Sequence, residues 1–445
     1  MKNSICLFLI AMSFACSVNA QWSVEHLSQA RIFPGAIGYQ NKVYVGGGYL
    51  QALSAIMSDR VDIFDNATGS WTVDSLSSAR GDVAVIAAAG KVYFAGGTTN
   101  GLGNAKGVDI YDIASGTWSV DSLMTTQGAC VPAIIGNKIY FTGGTSNVTG
   151  GVTKMVSVYD YVTNTWTTDS LSQARFGHGA AVVGDVAVYG GGYTNTSSYP
   201  TTKRVDIYHA TIGMWDTASL SQARGNIAAI AAGGKIFFAG GLISVSSGAL
   251  SAVVDIYDVA GNSWSTATLS QARRSIASAT IGNLVFFAGG ERNFNQNTSS
   301  NRVDIYNLAT GAWTIDSMSV PHDGAAAAQL NNNKVFFIGG GTYMPNAPID
   351  EVEIYANNAA GISEPARNNR FTISPNPCNG LVTIKNNNGS SFDYNIYNST
   401  GQLIQSVNNT PSECRLDLRP FNGTLFFIKI KSGTDELTKV VSVMR

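Results

Sequence analysis

LSQARGNIAAIAAGGKIFFAGGLISVSSGALSAVVDIYDVAGNSW, residues 220–264, contains every part of the pattern on which this chain is built. A polar L-S-x-A-R linker leads into an apolar run, a Gly233-Gly234 turn and the aromatic run KIFFAGG. A variable loop then gives way to VVDIYD, a second turn and Trp264. Short runs rich in Val, Ile, Phe and Tyr between Gly and Asn turns are strand signals, and no helical period is present.

Working outward, the unit recurs seven times. Gly-Gly falls at Gly47, Gly97, Gly144, Gly191, Gly241, Gly290 and Gly340, and V-D-I-Y or a close variant begins at Val61, Val108, Val156, Val205, Val254, Val303 and Val352. Four antiparallel strands in about 48 residues make one blade of a β-propeller. The doubled glycine, V-D-I-Y-D and the following Trp resemble the kelch repeat from about Trp22 to Ala356. The fold class implied is all-β: a seven-bladed kelch-type β-propeller over 21–358, followed by a small C-terminal β-sandwich domain.

Two comparisons between copies bear on packing. The seven tryptophans, Trp22, Trp71, Trp118, Trp166, Trp215, Trp264 and Trp313, are spaced 47 to 49 residues apart, but Trp22 precedes the first full unit and the seventh V-x-I-Y has no Trp after it. An open array would leave an unpaired edge strand; a ring in which the strand around Trp22 completes the seventh blade removes it. The linker Arg (Arg31, Arg80, Arg175, Arg224, Arg273) and the Asp of V-D-I-Y (Asp62, Asp109, Asp206, Asp255, Asp304) change together. The third unit has Gln127 with Ser157, and the seventh has His322 with Glu353. A buried charge without its partner is costly, so the covariation predicts an Arg–Asp pair inside each blade.

The ends of the chain carry addressing signals. Residues 1–20 run from Lys2 through an apolar stretch to Val18-Asn-Ala20, the pattern of a cleavable signal peptide; a rival reading anchors lipid at Cys16, for which Ser13 and Phe14 are poor neighbours. Residues 359–370 read as a polar linker and 371–445 as a separate β domain. S-P-N-P-C-N-G (374–380), N-S-T-G-Q (398–402) and L-R-P-F-N-G-T-L-F-F-I-K-I (418–430) resemble the type A C-terminal sorting domain of the Bacteroidetes type IX secretion system. That resemblance implies handling by outer-membrane secretion machinery and a secreted or cell-surface location. The plainer alternative is an immunoglobulin-like accessory domain. Cys378 and Cys414 could form one disulfide in such a compartment.

Composition removes several functions. Charged residues are 13% of the 445, and 28 Lys plus Arg nearly cancel 29 Asp plus Glu, so no field exists to recruit nucleic acid. No later apolar run reaches the ~20 residues of a spanning helix, so no transmembrane segment is expected. Some kelch propellers are copper oxidases, which need paired His, Tyr and a Tyr–Cys crosslink; one propeller cysteine, Cys130, and no comparable His pair argue against a metal or other cofactor. Cys130 and His178 hold equivalent places on adjacent innermost strands and could pair as nucleophile and base, but other copies hold packing residues there.

Binding residues are easier to place. Linkers and second-to-third loops should emerge on one face. The loops carry Tyr49, Tyr193, Tyr199, Arg292, Phe294 and Tyr343 among Ser, Thr, Asn and Gly. Positions two after the linker residue, Phe33, Asp82, Ala129, Gly177, Asn226, Ser275 and Gly324, should ring the channel mouth, with Arg274 and Asp323 nearby. Rings beside amides and hydroxyls suit a sugar or a protein loop; each is equally readable as an ordinary loop residue. Asp-Ser-Leu at Asp74, Asp121 and Asp169, with Asp-Ser-Met at Asp316 and Asp-Thr-Ala at Asp216, resembles an O-glycan acceptor of exported Bacteroidetes proteins and equally serves as a blade linker. The function expected is a recognition module for glycan or protein without catalytic residues; the alternative is a sugar epimerase or mutarotase, which requires an acid, a base and an Arg clustered at the mouth. A purely structural adhesin component is a third option.

Overall fold

In a computed structural model, the described residues are 21–51, 56–101, 103–296, 298–330, 333–342, 347–357, 371–374, 378–432 and 435–443. The signal-peptide and linker expectations concern residues outside this set. The chain divides into two compact units, one ending at Asn357 and the other beginning at Asn358. Every regular element among the described residues is a strand, and no helix is long and apolar enough to cross a membrane.

The first unit contains seven four-stranded antiparallel sheets. Their innermost strands are Gly35–Tyr39, Ala84–Ala88, Val131–Ile135, Gly179–Val183, Ala228–Ala232, Ala277–Ile281 and Ala326–Leu330, and each touches the next, the last returning to the first. Small residues dominate them because they converge on the axis. The strands that follow, such as Lys235–Ala239, are buried almost throughout; both their faces pack against neighbouring sheets, so they read as continuous apolar runs rather than alternating ones.

Backbone geometry at the doubled glycine carries the contact between sheets. The N–H of Gly48, Gly97, Gly144, Gly192, Gly241, Gly290 and Gly340 donates to the linker carbonyl of Arg80, Gln127, Arg175, Arg224, Arg273, His322 and Arg31 respectively, at 2.6 to 3.0 Å. The seventh bond returns to the first linker and closes the circle. At Gly96, which has φ of 60°, a Cβ would lie 2.2 Å from the Gln127 carbonyl oxygen. No side chain fits there.

The closing strand behaves as the tryptophan phase implies. Gln21–His26 pairs antiparallel with Glu351–Ala356, Trp22 opposite Tyr355, and completes the seventh sheet. The Trp22 ring lies 5.1 Å from Tyr355 and 6.0 Å from Phe337, and its Nε1 donates to Asp316 of the preceding sheet at 2.9 Å. Trp118, Trp166 and Trp215 donate likewise to Asp74, Asp121 and Asp169. The Asp-Ser-Leu motif therefore has a structural task, while Ser75, Ser122, Ser170 and Ser317 beside it are exposed.

The Arg–Asp pairs are present in all five units that carry both residues. Arg31–Asp62, Arg80–Asp109, Arg175–Asp206, Arg224–Asp255 and Arg273–Asp304 are ion pairs with side chains almost wholly buried. The guanidinium spans the sheet: Arg224 Nη1 donates to the Gly240 and Val253 carbonyls at 2.6 and 2.7 Å. The second oxygen of Asp255 accepts the linker N–H of Ser221 at 3.0 Å. Burying two charges is tolerable only when their remaining hydrogen bonds are made, and most are, though Nε of all five arginines has no partner. In the third unit Gln127 Nε2 donates to the Phe141, Gly143 and Met155 carbonyls, and Ser157 Oγ donates to Gln127 Oε1 at 2.6 Å. It is a neutral copy of the same lock. In the seventh, His322 Nδ1 meets the Gly339 carbonyl at 2.6 Å and Glu353 accepts from Ser319, leaving His322 Nε2 and Glu353 Oε2 without partners.

The second unit, described by itself, has a three-stranded sheet (Phe371–Ser374, Leu381–Asn386, Glu413–Asp417) and a four-stranded one (Leu403–Thr410, Phe392–Tyr397, Leu425–Ser432, Asp435–Ser442). Val382, Ile384, Ile396, Phe426, Ile428 and Ile430 form part of its core. Cys378 and Cys414 are unbridged; Cys378 is buried in that core and Cys414 packs on its edge.

Two outcomes follow. Trp22→Ala should lower stability by about 2 kcal/mol, roughly half the loss for a fully buried Trp, and match Trp166→Ala in urea unfolding; no loss at Trp22 would mean that this strand does not close the ring. Arg224→Ala should cost about 3–5 kcal/mol by stranding Asp255, whereas Arg224→Gln with Asp255→Ser should recover at least about half of that by reproducing the third unit.

Candidate functional site

Each linker enters its innermost strand beside the residue that follows the glycine pair. Bridges join Ile32 to Tyr49, Gly81 to Thr98, Gly128 to Thr145, Phe176 to Tyr193, Gly225 to Leu242, Arg274 to Glu291 and Asp323 to Gly341. This places linker and second-to-third loop on one face of every sheet.

The next linker residue turns the chain down into the channel. Phe33, Asp82, Ala129, Gly177, Asn226, Ser275 and Gly324 all have positive φ, between 47° and 64°. Glycine adopts that region freely, whereas a bulky side chain there is strained by about 1 kcal/mol or more. Five of seven positions nevertheless carry a side chain. Glycine appears where a neighbour needs the space: a Cβ on Gly324 would lie 2.5 Å from the Phe33 ring, and one on Gly177 would meet Asn226 Oδ1 at 2.7 Å and Tyr193 at 3.1 Å.

Two hollows share these residues. One, of about 400 Å³, is lined by Ile32, Phe33, Tyr49, Asp82, Ala129, Phe176, Gly177 and Asn226. The other, of about 230 Å³, is lined by Phe33, Gly177, His178, Asn226, Ile227, Ser275, Ile276, Gly324 and Ala325. Phe33, which is 38% exposed, borders both and meets Tyr49 edge-on at 6.4 Å. Tyr49 Oη donates to Asp82 Oδ2 at 2.5 Å. Burial raises the Asp82 carboxyl above the usual carboxylate range, against the pull of that hydrogen bond.

On the opposite side, Phe176, Tyr193 and Tyr199 form an aromatic trio with ring separations of 5.2 to 5.9 Å. Tyr193 is 2% exposed and lies over Gly225 of the next sheet, where a Cβ would come within 2.4 Å of its ring. The missing side chain lets its phenol approach Arg274. Arg274 pairs with Glu291 and stands 4.6 Å over the Phe294 ring. Asp323 completes the group: burial, then the neighbouring Glu291, push its carboxyl up to about 7 while Arg274 pulls it down.

Of the residues singled out from sequence, the structure gathers Phe33, Tyr49, Asp82 and Asn226 at the hollow, and Tyr193, Tyr199, Arg274 and Phe294 beside it. Arg292 is exposed, its Nε donating to the Ser299 carbonyl of its own loop. Tyr343 lies outside the described residues. Glu291 escaped sequence reading, yet the register held the signal: across the units the residue after Gly-Gly is Tyr49, Thr98, Thr145, Tyr193, Leu242, Glu291 and Gly341, and only one is charged. The Cys130–His178 pair is not an activated nucleophile. Burial pushes the Cys130 thiol up to about 12 and His178 well below its usual range, and the imidazole Nε2 pairs with Thr142 Oγ1 at 3.0 Å.

Two family models each match a part of the chain. The KLHDC2/KLHL20/DRC7 Kelch-repeats domain matches residues 128–341, and the Secretion system C-terminal sorting domain matches 372–444. The chain carries kelch repeats and a type IX sorting domain. The solved structure of YjhT resembles the chain with a TM-score of 0.50 at 15% identity, covering 66% of this chain and 99% of its own. At that identity the likeness concerns the fold. No curated protein matches. The sorting domain marks the kelch propeller for the cell surface or the extracellular space.

Asp323 gives the kelch propeller a pH signature. Its folded-state value, about 7, lies above the unfolded value near 3.9, so the folded protein retains this proton while the unfolded chain has lost it. Stability from this group falls as pH rises between those values and levels off above about 7. The melting temperature of Asp323→Asn relative to the unaltered protein should therefore climb from pH 4.5 to 7.5 and then flatten; a constant difference would contradict the raised carboxyl.

Proposed function

We propose that this exported kelch propeller is a recognition module that binds a glycan or protein at the mouth of its channel, with a glycan favoured. The observation that carries the reading is the ring of side chains held at positive φ, above all Phe33, Asp82 and Asn226, around a hollow where glycine would be the relaxed choice. Strain kept at a surface depression is a mark of function, and an aromatic face beside carboxyl and amide groups is the surface that stacks on a sugar ring and bonds its hydroxyls. Tyr49 holds Asp82 in place, so the acceptor is fixed before a ligand arrives.

A second reading, a sugar epimerase or mutarotase, gains support from the group at Tyr193, Arg274, Glu291 and Asp323, which gathers an acid, a base and an Arg beside the mouth. Faster exchange of sugar anomers by NMR in the presence of the protein, lost in Asp323→Asn, would favour it.

The binding reading is tested on a glycan array with the exported protein. Phe33→Ala and Tyr49→Ala should each weaken retained sugars by about tenfold, the loss of one stacking or positioning contact, without lowering the melting temperature by more than a few degrees. Absence of binding to any glycan or exported protein, or retention unaffected by either change, would count against the mouth as the site. Removal of residues 371–445 should leave the propeller inside the cell envelope, as fractionation would show; unchanged appearance in the medium would contradict dependence on the tail.

A further inference from the structure

The group formed by Arg274, Glu291 and Asp323 is electrically incomplete. One guanidinium faces two carboxyls, and it pairs with Glu291. Glu291 is 0% exposed and Asp323 6% exposed, yet Glu291 Oε1 and Asp323 Oδ1 have no hydrogen-bond partner. Buried acceptors are almost always paired, so two open ones in a single group leave room for a donor from outside the fold. In the lock, by contrast, both oxygens of Asp255 are bonded; Glu353 Oε2 is also open, but among the described residues only Glu291 and Asp323 place two open carboxylate oxygens in one group.

We propose that this group is a subsite for a protonated primary amine on the ligand bound at the channel mouth, so that the ligand is an amine-bearing saccharide; this rests on the reading of the mouth as a sugar site. An ammonium supplies the two things the group lacks, a positive charge and several N–H donors. A hydroxyl supplies a donor but leaves the second carboxylate uncompensated. Arg274 pairs with Glu291 through Nε and rests on the Phe294 ring, and its one charge is shared between Glu291 and Asp323. The subsite adjoins the mouth: Ser275 and Gly324, the residues after Arg274 and Asp323, both line the smaller hollow. Burial first, and then the neighbouring Glu291, raise the Asp323 carboxyl, and an ammonium placed against it would favour its ionised form.

The test is calorimetric titration of the full exported protein at pH 7 with a glucosamine hexamer and with its fully N-acetylated counterpart, which keeps the rings and hydroxyls but has no charge. The free-amine hexamer should bind about tenfold or more tightly, the range of a charged hydrogen bond. Asp323→Asn should remove that preference while leaving affinity for the acetylated hexamer within about threefold. Glu291→Gln, monitored for folding by its melting temperature, should reduce the preference as well and serves if the first variant fails to fold. Equal affinity for both hexamers, or a preference that survives both substitutions, overturns the amine subsite while leaving the mouth as a sugar site. Failure of both hexamers to bind while other neutral glycans are retained also overturns it. Tighter binding of a lysine peptide than of either sugar overturns the saccharide assignment, and retention of no glycan at all removes the mouth reading together with the subsite.

Discussion

The structure depends on a buried charge lock repeated around a ring. In five of the seven copies a linker arginine lies across its sheet, neutralised by the aspartate of V-D-I-Y and bonded to carbonyls near the glycine pair. The aspartate in turn holds the linker by a backbone N–H. Because the carbonyl of that same arginine accepts the N–H of the preceding glycine pair, the lock within one blade also sets the distance to its neighbour. A propeller this poor in surface charge thus concentrates much of its electrostatics inside. The third copy shows that geometry rather than charge is the requirement, since glutamine and serine reproduce the arrangement with neutral groups.

The proposed site begins where the lock leaves off. The residue after the locked arginine and the residue after the glycine pair face each other on every sheet, and in five of the seven copies this pair is aliphatic, aromatic or small and polar. Only around the sixth and seventh sheets do Arg274, Glu291 and Asp323 occupy those places. A repeat protein can vary such positions freely because the framework does not use them. Departure from the repeat is therefore the informative signal on this face.

Most of the architecture could be read from the sequence because the repeat averages away local ambiguity. One blade alone gives short apolar runs of uncertain pairing; seven copies fix their register, and the joint loss of Arg and Asp in the third copy pointed to the lock. The phase of Trp22 likewise located the closing strand. The candidate site was less legible. Phe33, Asp82 and Asn226 followed from register, but Tyr193 read as an accessible loop aromatic, whereas Gly225 in the adjacent sheet lets its ring lie down and become buried. Contacts between blades do not appear in the pattern of a single unit. Glu291 is hidden for another reason: it opens a polar variable loop, and its charge stands out only against Tyr49, Thr98, Thr145, Tyr193, Leu242 and Gly341 at the same register.

The pairing of Gln21–His26 with Glu351–Ala356 has a consequence for the order of events in the life of the chain. Trp22 and Asp316, which share a hydrogen bond, are 294 residues apart, so the last sheet cannot be finished until nearly the whole propeller has emerged from synthesis. Contacts this distant along the chain make folding slow. A polypeptide whose decisive contact forms last stays threadable for longer, which suits a protein that must leave its compartment of origin before it takes its final shape.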